Sequence, residues 1–466
     1  MLSTLPKRRL RENVVLVAYG GGKDSSYSLA FCRAVQLMVF ANQGETFRLR
    51  SVTNRHTAMP RAVMDNIDRA YRALRIPDDP DCEALLVDGD EVKPFQVDEV
   101  LAAPVIARNR VDLLMTGHRT AAESRPTFCN ACNLSMVNSF GVAAAYDGGV
   151  DVIVTGDSPE EQRAYYLWVN RLTRHYGRNP APSKETGFRR FLEKADDLAQ
   201  VYFTGILGPD SAAEVESRRV THEVPRALTF FSIYEDTRYS AAEHWHLLND
   251  YLGFVFDELA FSFTESDCGA PTLMAHLRGL KCERLYRRSY AEGLAEYVGF
   301  ALGLMRRKEF PERLIERMRA RYADEDSINR MRAKANDFAR EAFALGEDQL
   351  VCMLYSPFPG RGEGLEAYLA AEQPDLAAVA AEIHALLDET AESGDDRDLV
   401  TRLEELSGLG LERLRTLYRS PAIPGRGTHA NGDLVGAILA GDPHKAVIPT
   451  RHAPGGPVVH ELISGR

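Results

Sequence analysis

The sequence predicts an α/β protein, a doubly wound and mostly parallel sheet followed by a mainly α-helical C-terminal region. Three observations carry this. Apolar runs of strand length alternate with helical patterns up to about residue 208, a glycine-rich turn joins the first run to the first helix, and long helical patterns fill the remainder.

Residues 14–20, "VVLVAYG", are almost wholly apolar, as expected of a strand covered on both faces, and a helix is expected from about Lys23 to Phe40. "FRLRSVTNR" (47–55) reads as a second strand, "PRAVMDNIDRAYRALRI" (60–76) as a helix with Pro60 at its first position, and "EALLVDG" (83–89) as a third strand. "VDEVLAAPVIARNR" (97–110) is helical in pattern, and "VDLLMTG" (111–117) fits a strand or a helix end. "DVIVTGD" (151–157) and "QVYFTGILG" (200–208) read as further strands. A doubly wound sheet binds its ligand beyond the strand carboxyl ends, where the strand order reverses.

The expected organisation is an α/β domain over 1–208, a helical region over 209–345, and a second helical region with Pro and Gly turns over 346–466. The acidic stretch "DETAESGDDRD" (388–398) reads as an exposed linker. "LYSPFPGRG" (354–362) and "LYRSPAIPGRG" (417–427) resemble each other, and their Pro and Gly content reads as turn chemistry.

The 466 residues are 45% hydrophobic and 26% charged, the balance of a globular chain, and no apolar run reaches the length of a membrane span. "MLSTLPKRRLREN" has basic residues without an apolar segment after them, so a cytoplasmic location without membrane attachment is expected. A net charge of -11 speaks against a broad nucleic-acid surface and points to a small substrate. A homo-oligomer is expected. The seven cysteines do not suggest a disulfide scaffold and leave thiols for metal or sulfur chemistry.

The stretch "GGGKDSS", Gly20 to Ser26, places Gly20, Gly21 and Gly22 between a buried strand and a helix, where backbone N–H groups point at an anion. A Walker A loop would need Gly at Val17 and Ser or Thr at Asp24, so the P-loop class is excluded. An acidic Asp24 beside Lys23, Ser25 and Ser26 suits a triphosphate bridged by Mg2+; the bland alternative is an ordinary strand-to-helix turn.

The loop resembles the S-G-G-x-D-S motif of the PP-loop ATP pyrophosphatases, enzymes that cleave ATP between its α and β phosphates and adenylate a carbonyl oxygen. Gly20 stands where that family usually has Ser. The resemblance implies the HUP type of sheet, ATP and Mg2+ as cofactors, phosphate contacts from Gly20 to Ser26, and a metal position at Asp24 and Asp157 with Gly156 beside it. Thr53 and Asn54 fall at the adenine edge of such sheets, or are plain turn residues.

"TFCNACNLS" sets Cys129 and Cys132 at C-x-x-C spacing, on a turn entering a helix, which reads as half a zinc site, a redox pair or coincidence. The best third partner is Cys268 in "ESDCGAPTLMAHLR", where Cys-Gly suggests a tight turn with an exposed thiolate; Cys282 is the second choice. Cys32, Cys82 and Cys352 read as core or incidental residues. In order, Cys129, Cys132, the "VTGDSPEEQ" stretch with Thr155 and Asp157, and Cys268-Gly269 through Arg278 resemble the iron-sulfur-dependent tRNA thiolase branch of the same family. The likeness covers about residues 14–280.

That branch implies a [4Fe-4S] cluster on Cys129, Cys132 and Cys268, with zinc as the alternative, and a sulfurtransferase reaction. A nucleobase-like or other small carbonyl compound would be adenylated, pyrophosphate released, and oxygen replaced by sulfur from a donor. Lys23, Asp24, Cys129 and Cys132 are then the catalytic set, and His118 is either a proton shuttle or a structural residue. A tRNA acceptor stands behind the small substrate. The alternatives are an ATP-dependent amide ligase or amidotransferase on the same loop, and a non-enzymatic nucleotide-binding regulator.

Overall fold

A computed structural model describes residues 1–178, 185–235, 237, 244–259, 268–307, 310–389, 397–423, 433–441 and 445–464. The chain divides into two compact units. The first comprises 1–105, 132–201 and 216–269, and the second comprises 106–131, 202–215 and 270–466. The boundary expected at 208 falls inside a segment of the second unit, as does the one at 345.

The first unit is built on a six-stranded sheet. β1 (Val14–Ala18) is followed by α1 (Lys23–Gln43), β2 (Arg48–Asn54), α2 (Arg61–Ala73), β3 (Cys82–Asp88) and β4 (Glu91–Pro94). Next in the chain come α3 (Ala103–Arg119), α4 (Ser124–Ala145), β5 (Val152–Thr155), α5 (Pro159–Tyr176), α6 (Gly187–Leu207), α7 (Ala212–Glu216) and β6 (Thr229–Ser232), with most of α3 and α7, the start of α4 and the end of α6 counted in the second unit. The order across the sheet is β4-β3-β2-β1-β5-β6, with every pair parallel except the β3/β4 hairpin. The strand order therefore reverses between β1 and β5. The central strands bury Val15, Val17, Val152, Ile153 and Val154 completely, which is why they read as unbroken apolar runs.

The expected strand at 200–208 is the end of α6 instead. Leu192, Ala195, Ala199, Tyr202, Phe203 and Ile206 are all buried at three- and four-residue spacing, so the apolar run is one face of a helix. "VDLLMTG" belongs to α3, and α2 begins at Arg61 with Pro60 as its N-cap. The strand that flanks β5 on the side away from β1 is β6, a four-residue segment that does not stand out in the sequence.

The second unit holds α8 (Ala270–Arg284), α9 (Tyr290–Arg307), α10 (Glu312–Ala320), α11 (Glu325–Phe343) and α12 (Glu347–Tyr355), followed by shorter helices. Gly279 and Gly293 let α8 and α9 approach closely: a Cβ at Gly293 would lie 2.5 Å from the Arg278 carbonyl oxygen. The unit ends in a hairpin, β7 (Lys445–Thr450) with β8 (Val459–Ser464), which a purely helical expectation for this region missed. Glu461 of β8 accepts hydrogen bonds from Arg278 Nη1 at 2.9 Å and Lys281 Nζ at 2.6 Å. Burial raises the Glu461 carboxyl, but Lys281 and Arg278 outweigh it and hold the group down to about 2. Most of the proposed linker at 388–398 and the end of the second Pro/Gly stretch lie outside the described residues.

Candidate functional site

The glycine loop lies at the carboxyl end of β1, beside the point where the strand order reverses. Gly21 has φ +77°, and a Cβ there would stand 2.9 Å from both Ile67 and Val63 of α2. Only glycine combines this backbone conformation with such close packing. Gly22 is the N-cap of α1 and supplies no side-chain cap, so the first-turn N–H groups of α1 have no capping side chain. In the 21-residue helix that follows, the positive end of the macrodipole sits at this loop.

Tyr19 supports the loop from below. Its N–H donates to Val52 O at 2.8 Å, its carbonyl accepts from Thr53 Oγ1 at 2.8 Å, and its hydroxyl accepts from Ser26 Oγ at 3.2 Å. The phenol is fully buried, and burial pushes it well above its ordinary range, so it stays a neutral hydrogen-bonding group. Thr53 thus holds the loop together, and Asn54 closes β2 beside it.

Lys23 and Asp24 form a pair with each other. Lys23 Nζ lies 2.7 Å from Asp24 Oδ1 and 2.8 Å from Oδ2, with the lysine side chain 8% exposed and the aspartate 24%. Ser25 Oγ donates to Gly22 O at 3.1 Å, and Ser28 Oγ to Asp24 O at 3.0 Å. Gly20 is half-buried and offers backbone only.

The loop after β5 touches this turn. A Cβ at Gly156 would come within 2.9 Å of Ser25 N and 3.2 Å of Asp24 Cβ, so Gly156 is needed for the close approach of two backbones. Asp157 follows directly, its N–H 3.4 Å from Thr155 Oγ1, and Ser158 then opens α5 with a capping box to Glu161. The carboxylates Asp24 and Asp157 are therefore carried by abutting loops on neighbouring strands. Two carboxylates suit Mg2+, which takes few protein ligands and completes its shell with phosphate and water.

The cysteines behave differently. Cys129 and Cys132 lie inside α4, not on a turn ahead of a helix, and three-residue spacing puts them on one helix face. Cys268 is only 7% exposed, contrary to the expected exposed thiolate. The following Gly269 donates its N–H to Ala58 O at 2.8 Å, tying Cys268 to the loop after β2. Among the described residues no group of three or more His, Cys, Asp or Glu is arranged to hold a metal ion. No chemistry is therefore derived from a [4Fe-4S] cluster or a structural zinc. Cys282 is buried within α8 and its thiol is pushed up to about 11 by burial; Cys32 and Cys352 are core residues.

His118 is completely buried near the end of α3, 5.3 Å from the Phe358 ring, and neither ring nitrogen has a hydrogen-bond partner. Burial pushes its imidazolium down to about 3, so the ring is neutral at physiological pH. A completely buried ring in this state is not placed to shuttle protons to solvent.

Sequence reasoning missed Tyr19 as the scaffold of the loop and the mutual neutralisation of Lys23 and Asp24. The adjacency of Lys and Asp was visible, but side-chain direction was not. No protein-family model matches this chain, and no curated protein or solved structure matches it either.

Proposed function

We propose that the protein is an ATP-dependent enzyme of the PP-loop pyrophosphatase type, which adenylates a carbonyl oxygen of a small substrate and exchanges that oxygen for sulfur from an external donor. The observation that carries this reading is the uncapped N-terminus of α1, with Lys23 and Asp24 in its first turn, abutting the Gly156-Asp157 loop where the strand order reverses.

Oxide is a very poor leaving group from an amide-like carbonyl, and transfer of AMP to that oxygen converts it into a good one. The N–H groups of the first turn of α1 receive phosphate oxygens, and Lys23 places a point charge against them. Lys23 is now held by Asp24, so phosphate binding requires Lys23 to exchange a carboxylate for a phosphate. Mg2+, when bound, neutralises triphosphate charge and favours departure of pyrophosphate. Asp24 and Asp157 are the residues that would hold it. The helix dipole and the loop amides stabilise negative charge developing on the α phosphate.

An amine in place of sulfur would make the same first half-reaction an amide ligase. This second reading is supported by the finding that no group of three metal-ligating side chains is arranged among the described residues, since the adenylating half of the site needs no thiol. The decisive assay incubates anaerobically purified protein with ATP, a panel of carbonyl compounds, and either sulfide or ammonia. Pyrophosphate release with an oxygen-to-sulfur mass change in the acceptor supports sulfur transfer. A mass change to amide supports the ligase, and no acceptor-dependent pyrophosphate with any member overturns both.

A further inference from the structure

The outward side of α1 is not that of an ordinary surface helix. Leu29, Cys32, Gln36 and Val39 are buried, so the opposite side of the helix should carry charged and polar residues. The exposed positions between 34 and 41 are instead Ala34, Leu37, Met38, Phe40 and Ala41, with Leu37 48%, Met38 65% and Phe40 53% exposed. No charged residue stands between Arg33 and Glu45. Arg33 itself is turned inward, its Nη1 2.7 Å from Asp79 Oδ2 and its Nε donating to Leu74 O at 3.1 Å. Glu45, beyond the helix end, faces Arg11 at 3.8 Å. A helix that is apolar on both sides is normally covered on both sides.

Three properties of this face point to a second copy of the chain as its cover. The first is neutrality: each copy carries a net charge of -11, and a contact through residues 34–41 brings none of that charge together, while an acidic or basic partner would find nothing here to pair with. The second is register. Residues 34, 37, 38 and 41 share one helix face by three- and four-residue spacing. Turned about a two-fold axis between residues 37 and 38, α1 sets Ala34 against Ala41 of the partner subunit and Leu37 against Met38 of the partner subunit. Small residues meet at both ends, which lets the axes approach to about 8–10 Å, and large side chains interdigitate in the middle. The third is area. The exposed surface of these five residues is about 400 Å² per copy, more than a scattered surface side chain accounts for. The total of about 800 Å² buried by two copies suits a weak, reversible dimer.

We propose that the outward face of α1 is the contact of a two-fold symmetric homodimer, in which α1 of one copy packs antiparallel against α1 of the other. Ala34 lies about 16 Å along the helix from Lys23, so the contact leaves the glycine loop open and is independent of what that loop binds.

The test is sedimentation equilibrium on the full chain from about 1 to 100 μM, a range that spans the dissociation constant expected of so small an interface. The average mass should rise with concentration from that of one chain toward that of two and go no further. Met38→Glu should weaken the dimer at least about tenfold with an unchanged melting curve, and Ala41→Glu, which keeps a good helix former at an exposed position, should do the same if the first variant disturbs folding. The antiparallel register has its own test. An equimolar mixture of the Leu37→Lys and Met38→Glu proteins sets opposite charges against each other across the axis, and should associate at least about fivefold more tightly than either protein alone. A mass of one chain at every concentration overturns the proposal, as does growth beyond two copies. A dimer that both glutamate variants leave intact, or a mixture no tighter than its components, also overturns it.

Discussion

The glycine loop and the cysteine-bearing segments offer a contrast in what spacing along a chain can secure. Gly20 to Ser26 form a contiguous turn, and the strand before it and the helix after it place every member within a few ångströms of the others. Cys129 and Cys132 are drawn from α4 and Cys268 from the turn just before α8, and their convergence depends on everything between. The loop is assembled, whereas among the described residues no group of three metal-ligating side chains is. Local motifs survive as sites because local geometry enforces them; dispersed motifs need the tertiary structure to agree.

The largest effect is expected from Asp24→Asn. The amide keeps the shape and loses the charge that holds a cation, so acceptor-dependent pyrophosphate release should fall by about a hundred- to a thousandfold with an unchanged melting temperature. Near-normal turnover would erase one side of the contrast by removing Asp24 from the site. Lys23→Ala should raise the KM for ATP about ten- to a hundredfold while affecting kcat less. An unaltered KM would mean that Lys23 remains paired with Asp24 throughout the cycle.

The junction of the two loops can be broken sterically. Gly156→Ala puts a methyl group 2.9 Å from Ser25 N, and Gly21→Ala adds left-handed strain to a clash with α2. Each should cost about 1–3 kcal/mol in denaturant titrations. An unchanged midpoint in both would show that the loops are not in contact in solution.

His118 sharpens the contrast from the helical side, because its ring is buried without a partner. Its folded value of about 3 lies below the ordinary value of 6.5, so the unfolded chain binds the proton more readily. Stability from this residue is full above pH 6.5 and falls as pH drops toward 3, by about 1.4 kcal/mol per pH unit. His118→Leu should flatten that slope in urea titrations at pH 7 and pH 5. An identical slope in both proteins would place the ring in contact with water. The smallest effect is expected from Cys268→Ala, which should leave ATP-dependent pyrophosphate release within about twofold of the parent, because among the described residues no metal-ligating group of three is arranged. A complete loss would restore Cys268 to the chemistry.

Much of the sheet was legible. β1, β5 and the middle of β3 announced themselves as apolar runs because both faces are covered, β2 was legible despite its mixed residues, and the turn after β1 was marked by its glycines. "QVYFTGILG" was misread because a short apolar run carries no period of its own; the helical spacing appears only when Leu192, Ala195 and Ala199 upstream are counted with it. β6 and the terminal hairpin were invisible, since short strands owe their existence to the partners they pair with.

By itself, then, the sequence determined the alternation of strands and helices, the position of the glycine turn at the head of α1, and the residue types available there. These follow from periodicity and backbone sterics, which act over a few residues. Tertiary structure alone decided that β5 lies beside β1, that Gly156 touches Ser25, and that Lys23 folds onto Asp24. It also decided that Cys268 docks by the loop after β2 and that His118 is sealed from water. Such outcomes depend on strand order and on which side chains are driven from solvent, quantities that belong to the packed chain as a whole and to no segment of it.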